Sequence, residues 1–336
     1  MPFDTQPWTE PGPHPVVPGV HRVPLPMPND GLRAVNVYVI EDGDGVVLID
    51  SGWHDADAKE HLRTALAALG HDFGDVRRFL ATHMHADHYT LAVALREEYG
   101  TPITLGAAER PSIEATLQGD TSRELGEPRR WGIPGEISMS DIGVNPSHSR
   151  DVYDLPDEWL DHETDIALTS RTLRAVPTPG HTAGHIVFAD EAASLLFSGD
   201  HVLPHITPSI GFQPVVRHSA LTEYLASLRL LLELSDMMLL PAHGPVTDSV
   251  HVRVKELLDH HDERLAATRQ TVADGATTAY ESASRLTWTG KHRAFDTLGL
   301  FNQFLAVGET AAHLEHLVTT GALAQTVTDG IARYAP

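Results

Sequence analysis

The sequence predicts an α/β protein with a second, smaller and mostly helical domain at its C-terminal end. Between residues 34 and 240, short runs rich in Val and Ile alternate with segments whose apolar residues have helical spacing. After about residue 250 the composition changes and the helical pattern dominates. We therefore predict two domains, at residues 1–250 and 251–336.

Local patterns place the individual elements. The first 30 residues contain nine prolines, which lack the N–H group that a sheet ladder needs, so residues 1–30 are predicted as an irregular arm leading into an edge strand. Strands are predicted at residues 34–40, 46–50, 76–81, 102–105, 172–176, 185–189, 195–198 and 237–240, and helices at 58–69, 90–99 and 221–234. The C-terminal region is predicted as about three helices ending at Gly321.

Residues 107–165 have no clear periodicity and are rich in Gly, Pro, Arg and Asp. A long irregular stretch inside a compact domain is often a functional lid. A solvated insertion that does not touch the substrate is an equal alternative.

The composition excludes several classes of function. The chain has no cysteine, which rules out thiolate catalysis and thiolate metal ligands. Its 46 acidic and 24 basic residues give a net charge of −22, which repels nucleic acids and anionic membranes. No run approaches the roughly 18 apolar residues of a membrane helix, and no signal-peptide pattern opens the chain. We expect a cytoplasmic protein that acts on a small molecule.

One short segment carries the strongest chemical signal. His83, His85, Asp87 and His88 bring three imidazoles and a carboxylate together at the end of an apolar strand. In an extended segment residues two apart point the same way, so His83 and His85 can hold one ion while Asp87 and His88 turn toward a neighbouring one. The spacing therefore predicts a pair of metal ions.

Five motifs in order resemble those of metallo-β-lactamase fold hydrolases of the glyoxalase II-like type. They are Leu48-Ile49-Asp50-Ser51-Gly52, the histidine cluster, the segment from Pro179 to His185, Ser198-Gly199-Asp200 and Pro241-Ala242-His243-Gly244. The resemblance covers roughly residues 20–250. It implies an αβ/βα sandwich, two sheets face to face with helices outside, and a metal site at one edge.

The resemblance also assigns roles by matching position. It implies a first metal at His83, His85 and His181, a second at Asp87, His88 and His243, and Asp200 bridging both. Asp50 matches a carboxylate near the site that orients a ligand, and His185 is expected to support its loop. Two Zn²⁺ per chain are the expected cofactors, with Fe or Mn as alternatives because nitrogen and oxygen ligands select weakly.

One departure from the resemblance concerns the mouth of the site. Relatives usually continue the histidine cluster with two glycines, whereas this chain has Thr90 and Leu91 there. The ligand positions are unaffected, but the shape of the mouth and the substrate subgroup stay open.

The implied chemistry is hydrolysis by a dinuclear zinc centre. A metal-bridging hydroxide would attack a carboxylic ester, thioester or lactone, with Asp87 as the catalytic proton acceptor. A phosphodiesterase or nuclease of the same fold is the nearest alternative. A diiron oxygen-reducing enzyme is disfavoured because such relatives usually have Glu where His85 stands. A non-catalytic metal-binding module predicts missing ligands, and every ligand position is filled.

The segment from Phe304 to Gln325 resembles the winged-helix-like tail of some members of the superfamily. Residues 251–336 contain eight Lys or Arg and ten Asp or Glu, so no basic face for DNA is expected. Shaping the pocket wall or forming a homodimer contact are the expected uses of this region.

Overall fold

The structure is a computed structural model that describes residues 8–27, 32–119, 128–135, 151–210, 214–215, 217–288 and 292–336. Its first sheet has seven strands in the order β1-β2-β3-β4-β5-β6-β7. The strands are β1 (His14–Val17), β2 (Val20–Pro26), β3 (Ala34–Asp42), β4 (Gly45–Ile49), β5 (Val76–Leu80), β6 (Ile103–Gly106) and β7 (Glu158–Leu160). The sheet is antiparallel up to β4 and parallel from β4 to β7.

The second sheet has five strands in the order β12-β11-β10-β9-β8. They are β8 (Thr164–Ala167), β9 (Thr172–Pro177), β10 (Ile186–Asp190), β11 (Leu195–Gly199) and β12 (Met238–Pro241). Only the pair of β11 and β12 is parallel within this sheet. The eight strands predicted from Val- and Ile-rich runs all agree with the structure to within two residues at each end.

The two sheets pack face to face because their strands are apolar on both sides. Tyr38, Ile49 and Leu80 of the first sheet share a buried cluster with Phe188 and Phe197 of the second. Two further clusters cover the outer faces of the sheets, each formed with helices. The predicted αβ/βα sandwich is confirmed.

Seven α-helices are found within the described residues. They are α1 (Ala56–Ala68), α2 (Ala86–Tyr99), α3 (Arg110–Gln118), α4 (Ala220–Glu233), α5 (Val250–Ala273), α6 (Ala279–Arg285) and α7 (Leu300–Thr319). Helices α1, α2 and α3 cover the first sheet, while α4 and the first turns of α5 cover the second. Among the described residues, no helix combines the length and apolar character needed to cross a membrane.

The prediction of an irregular arm over residues 1–30 is wrong for residues 14–26, which form β1 and β2. β1 is the edge strand, so Pro15 lies at an edge. Pro24 and Pro26 pair with β3 on one side but lie beyond the end of β1 on the other. Prolines are tolerated there because their missing N–H groups face no neighbouring strand.

The C-terminal region has a hydrophobic core of its own, formed mainly by α6, α7 and the last turns of α5. After α7 the chain forms a hairpin of β15 (Ala324–Thr328) and β16 (Ile331–Ala335), and before α7 it forms the short pair β13 (Thr287–Trp288) and β14 (Arg293–Ala294). Neither pair was predicted from the sequence. Helix α5 packs into both cores, so it joins the two regions. The boundary at residue 250 stays a prediction.

The segment 107–165 is only partly irregular. It contains α3 and β7, and its residues 128–135 place Trp131 in the C-terminal core, with ring centroids 5.4 Å from Phe304. Residues 120–127 and 136–150, on which the lid hypothesis partly depends, lie outside the described residues. Residues 128–135 are therefore anchored on the C-terminal region, while α3 and β7 pack on the core of the first sheet, so the described part is not a purely solvated insertion.

Candidate metal centre

The candidate site lies where strands of both sheets end. Asp50 follows β4, the histidine cluster follows β5, His181 lies between β9 and β10, and Asp200 and His243 follow β11 and β12. Helix α2 begins at Ala86, four residues earlier than predicted, with His85 at its N-cap position. Asp87 and His88 therefore point from the first helical turn and not from an extended segment.

The seven predicted ligands form two groups. His83, His85, His181 and Asp200 make one, and Asp87, His88 and His243 make the other, and in each group the candidate ligand atoms lie within 4.8 Å of one another. Either group could hold a metal ion. The six residues other than Asp200 are divided as the resemblance implies, while Asp200, which was expected to bridge, lies in the first group.

Asp200 connects the two groups through its two carboxylate oxygens. Its Oδ1 lies 3.3 Å from Nε2 of His243 and 3.6 Å from Nε2 of His88. Its Oδ2 lies 3.5 Å from Nε2 of His181. One carboxylate thus faces both groups, as the bridging role requires.

Several polar atoms in this site are buried without a hydrogen-bond partner. They are Nε2 of His83, His88 and His243 and Oδ1 of Asp200. Such atoms are costly to bury unless something satisfies them. The contacts of 3.0 to 3.6 Å between ligand atoms of different residues are near the roughly 3.4 Å separation of nitrogens in a tetrahedral zinc site. The residues therefore fit a divalent metal ion.

The electrostatics of the two groups differ. Burial, reinforced by neighbouring histidines, lowers the pKa of His83 well below its usual value and that of His85 to about 3. Burial alone would also lower the pKa of His88 and His243, but nearby carboxylates raise both values. The imidazoles of His83 and His85 in the first group are thus neutral and ready to bind a metal ion. In the second group, protons compete with the metal ion for the histidine nitrogens.

Hydrogen bonds to the ring nitrogen that points away from the site fix the orientation of most of the ligand histidines. Nδ1 of His181 donates to the carbonyl oxygen of Ser209 at 2.9 Å, and Nδ1 of His243 donates to that of Ala34 at 2.8 Å. Nδ1 of His88 lies 2.8 Å from Oδ2 of Asp50. These contacts leave Nε2 of each ring for the site, which is the arrangement common in metal-binding histidines.

Asp50 occupies the orienting position predicted for it. Besides His88, its carboxylate accepts hydrogen bonds from the backbone N–H of Thr82 at 2.7 Å and from its hydroxyl at 3.0 Å. Asp50 has a left-handed backbone with φ of 61°. A non-glycine residue rarely adopts this conformation, and strain of this kind is typical of functional sites.

The turn that carries His243 is held by a buried polar residue near the start of β3. Nδ2 of Asn36 donates to the carbonyl oxygens of Pro241 at 2.9 Å and Gly244 at 2.8 Å. Nη1 of Arg22 donates to Oδ1 of Asn36 at 2.8 Å. This network joins the two sheets directly behind His243.

His185 supports the loop as expected and belongs to neither group. Its Nε2 accepts a hydrogen bond from the backbone N–H of Asp200 at 3.2 Å, and its Nδ1 lies 3.0 Å from the hydroxyl of Thr178. Gly199 has a φ of 50°, and a Cβ there would lie 2.7 Å from Nε2 of His185. Only glycine allows this close approach.

Some site residues escaped the sequence analysis. Asn36 had a signal, because it is a polar residue inside an apolar strand. Thr82 and Glu109 had none, since their roles depend on partners far along the chain.

Fold and site together define the class of a metal-dependent hydrolase. The family model described as "Metallo-beta-lactamase superfamily" matches residues 30–243. The chain belongs to the metallo-β-lactamase superfamily.

The similar proteins agree with this membership. "Probable metallo-hydrolase YqjP" of Bacillus subtilis is 25% identical over 310 residues, covering 88% of this chain and 90% of the relative. "Lactamase-like protein adaB" of Aspergillus niger is 27% identical over 266 residues, but the match covers only 64% of that protein and 78% of this chain. The crystal structure of a beta-lactamase domain protein from Burkholderia ambifaria has a TM-score of 0.80 and 26% identity, covering 96% of this chain and 94% of that one.

Proposed function

We propose that the chain is a dinuclear zinc hydrolase that cleaves a carboxylic ester, thioester or lactone. The observation that carries the proposal is the position of Asp200, whose two oxygens face the two His/Asp groups separately. A single-metal site would not need this arrangement. The proposed ligands are His83, His85, His181 and Asp200 for the first ion and Asp87, His88, His243 and Asp200 for the second.

Zinc is proposed because the ligands are nitrogens and carboxylate oxygens at nearly tetrahedral spacing. When bound, such ions polarise a carbonyl oxygen and lower the pKa of water toward about 7. The chain supplies neutral imidazoles in the first group, so no proton has to leave before an ion can enter there. In the second group Asp50 holds His88 from behind, with Nε2 of the ring facing the site.

Asp87 is the proposed catalytic residue. Although burial alone would raise its pKa, His88 and His243 lower that pKa well below its usual value, so the carboxylate is ionised at neutral pH. Its Oδ2 lies 3.3 Å from Nε2 of His243, and 11% of its side chain is exposed. A carboxylate in this state can accept a proton from an attacking water and pass it to the leaving group.

The proposed substrate is a small molecule. The net charge of −22 disfavours nucleic acid and anionic membranes as partners. Hydrolysis of an ester, thioester or lactone is favoured over hydrolysis of a phosphodiester. A phosphodiester substrate carries a negative charge, which a strongly acidic protein repels.

The first experiment measures metal content and hydrolysis together. Purified protein is analysed for metals and assayed with an aryl ester, an acyl thioester, a lactone and an aryl phosphodiester. We expect about two Zn²⁺ per chain and turnover of at least one carbonyl substrate. Asp87→Asn should lower kcat by about 10²–10⁴-fold, the usual contribution of proton transfer.

Asp57→Asn is the matched control, because Asp57 lies in the first turn of α1 as Asp87 does in that of α2, but is exposed. Its turnover should equal that of the wild type. Turnover of the phosphodiester alone would replace the proposal with a phosphodiesterase. Protein that binds two ions but cleaves none of the four substrates would favour a metal-binding module.

A further inference from the structure

Glu109 is a fully buried carboxylic acid that belongs to neither ligand group. It lies in the single turn Ala107–Glu109, between β6 and α3, and its relative exposure is 0%. Burying a carboxylate is unfavourable unless charges or donors compensate it. Its presence beside the metal centre therefore needs a reason.

The contacts of Glu109 reach two segments that carry ligands of the first group. The hydroxyl of Thr182 donates to its Oε1. The backbone N–H groups of Met84 and Gly184 also stabilise the charged form of the carboxyl and so lower its pKa. Met84 lies between His83 and His85, and Thr182 follows His181 directly. One carboxyl therefore ties a loop of the first sheet to a loop of the second.

The backbone around Glu109 is fixed as tightly as its side chain. A Cβ at Gly106 would lie 1.9 Å from the carbonyl oxygen of Gly184, and a Cβ at Gly184 would lie 2.5 Å from the backbone nitrogen of Glu109. These approaches are possible only because both positions are glycine. The turn and the His181 loop thus interlock, which leaves the carboxyl little freedom to move away.

Stability alone does not explain this acid. Oε2 of Glu109 has no hydrogen-bond partner, and burial raises the pKa of the group to about 7. An apolar side chain of similar volume would avoid that cost. An apolar side chain cannot accept from the hydroxyl of Thr182 while it also interacts favourably with the backbone N–H groups of Met84 and Gly184.

We propose that Glu109 is a positioning residue that sets the distance between His85 and His181 and thereby the metal affinity of the first group. This inference rests on the proposed function, because it assumes that the first group binds an ion. In the structure, Nδ1 of His85 lies 3.0 Å from Nε2 of His181. Residues that orient metal ligands typically contribute 10- to 100-fold to metal affinity.

The test isolates each group in the full-length chain with Co²⁺ as the probe. His243→Ala removes a ligand of the second group only, and His181→Ala removes a ligand of the first group only. Glu109→Gln is then added to each, and Co²⁺ affinity is measured by competition with a chelator, with the Co²⁺ absorption spectrum as a second readout. Glutamine keeps the shape of the side chain but replaces one of the two acceptor oxygens of the carboxyl with an N–H₂ group, and it cannot carry a negative charge.

We expect Glu109→Gln to weaken Co²⁺ binding about 10- to 100-fold and change its spectrum when His243→Ala leaves the first group intact. It should have no effect when His181→Ala leaves only the second group. Ile113→Val is the matched control: it removes one buried methylene from α3, lowers Tm by a few degrees and leaves Co²⁺ affinity unchanged.

Thr182→Val removes the hydroxyl donor from the other side and tests the same contact if Glu109→Gln does not fold. Thr182→Val should also weaken Co²⁺ binding by the first group. Unchanged affinity of the first group in the Glu109 or Thr182 variant overturns the inference and leaves the proposed function intact. An equal loss of Co²⁺ affinity in both groups, in proportion to the fall in Tm, also overturns the inference. A wild-type chain that binds no divalent metal overturns both proposals.

Discussion

The buried pair of His261 and His313 predicts that the chain loses stability in mild acid. His261 lies on α5 and His313 on α7, and their relative exposures are 1% and 0%. Nδ1 of His313 lies 2.7 Å from the carbonyl oxygen of Glu309, so this nitrogen is the donor. Nε2 of His313 must then accept from Nδ1 of His261, 3.2 Å away, and Nε2 of His261 is left without a partner.

This arrangement suits two neutral rings, because a proton added at Nε2 of His261 would be buried without an acceptor. Burial, helped by the facing histidine and by Arg264, lowers the pKa of His261 to about 2. Burial together with Arg264 lowers that of His313 to about 3, although the Glu309 carbonyl acts in the opposite direction. In the unfolded chain both pKa values return to about 6.5.

The sign and size of the effect follow from these values. Below pH 6.5 the unfolded chain binds protons that the folded chain refuses, so the contribution is complete above pH 6.5 and is lost as the pH falls toward the folded pKa values. Between pH 7 and pH 5 each histidine costs about 2 kcal/mol of unfolding free energy, or about 4 kcal/mol for the pair.

The measurement compares urea unfolding of the wild type and of His261→Leu/His313→Leu at pH 7 and pH 5. The double variant should lose about 4 kcal/mol less than the wild type, because leucine fills a similar volume and binds no proton. The metal-centre histidines are common to both proteins, so their contribution cancels. His162→Leu is the control, since its side chain is 77% exposed and its acid response should match the wild type. Acid losses that agree within about 1 kcal/mol would refute the assignment of a neutral buried pair.

The remaining predictions concern the metal centre. Asn36→Leu leaves the turn of His243 without its two donors and should cost about 2–4 kcal/mol of unfolding free energy, measured by urea denaturation, together with a loss of metal from the second group. Gly180→Ala should lower the metal content and Tm, because its Cβ would lie 2.4 Å from Cα of Tyr224 and its φ is 147°. Dialysis against a chelator should lower Tm of the wild type, and adding Zn²⁺ should restore it, because an ion that binds only the folded state stabilises it. An unchanged Tm after complete metal removal would contradict the last prediction.

The sequence predicts the site best where the site residues lie close together along the chain. The cluster from His83 to His88 needs only a strand end and one helical turn, and both are local. The strands β3, β4 and β10 to β12 were also predictable, because buried strands are nearly continuous runs of apolar residues. Their ends set the positions of Asp50, Asp200 and His243.

The prediction for β1 and β2 is wrong because of their prolines. The count of prolines suggested an irregular arm, but their effect depends on which side of a strand has a neighbour. Pro24 pairs with Asn36 on one side only, and that fact belongs to the sheet, not to the segment. The placement of Trp131 in the C-terminal core was likewise not predictable, because it depends on packing against residues far along the chain.

The sequence by itself determined which side chains could bind metal and the order in which the strands deliver them. Only the tertiary structure decided that the carboxylate of Asp200 faces both groups, that Asn36 holds the turn of His243, and that Glu109 ties two loops together. The physical reason is separation along the chain: Asn36 and Pro241 are 205 residues apart, and Thr182 and Glu109 are 73 apart. Local propensity and periodicity describe how a segment buries its own surface, whereas these contacts exist only once two sheets have packed against each other.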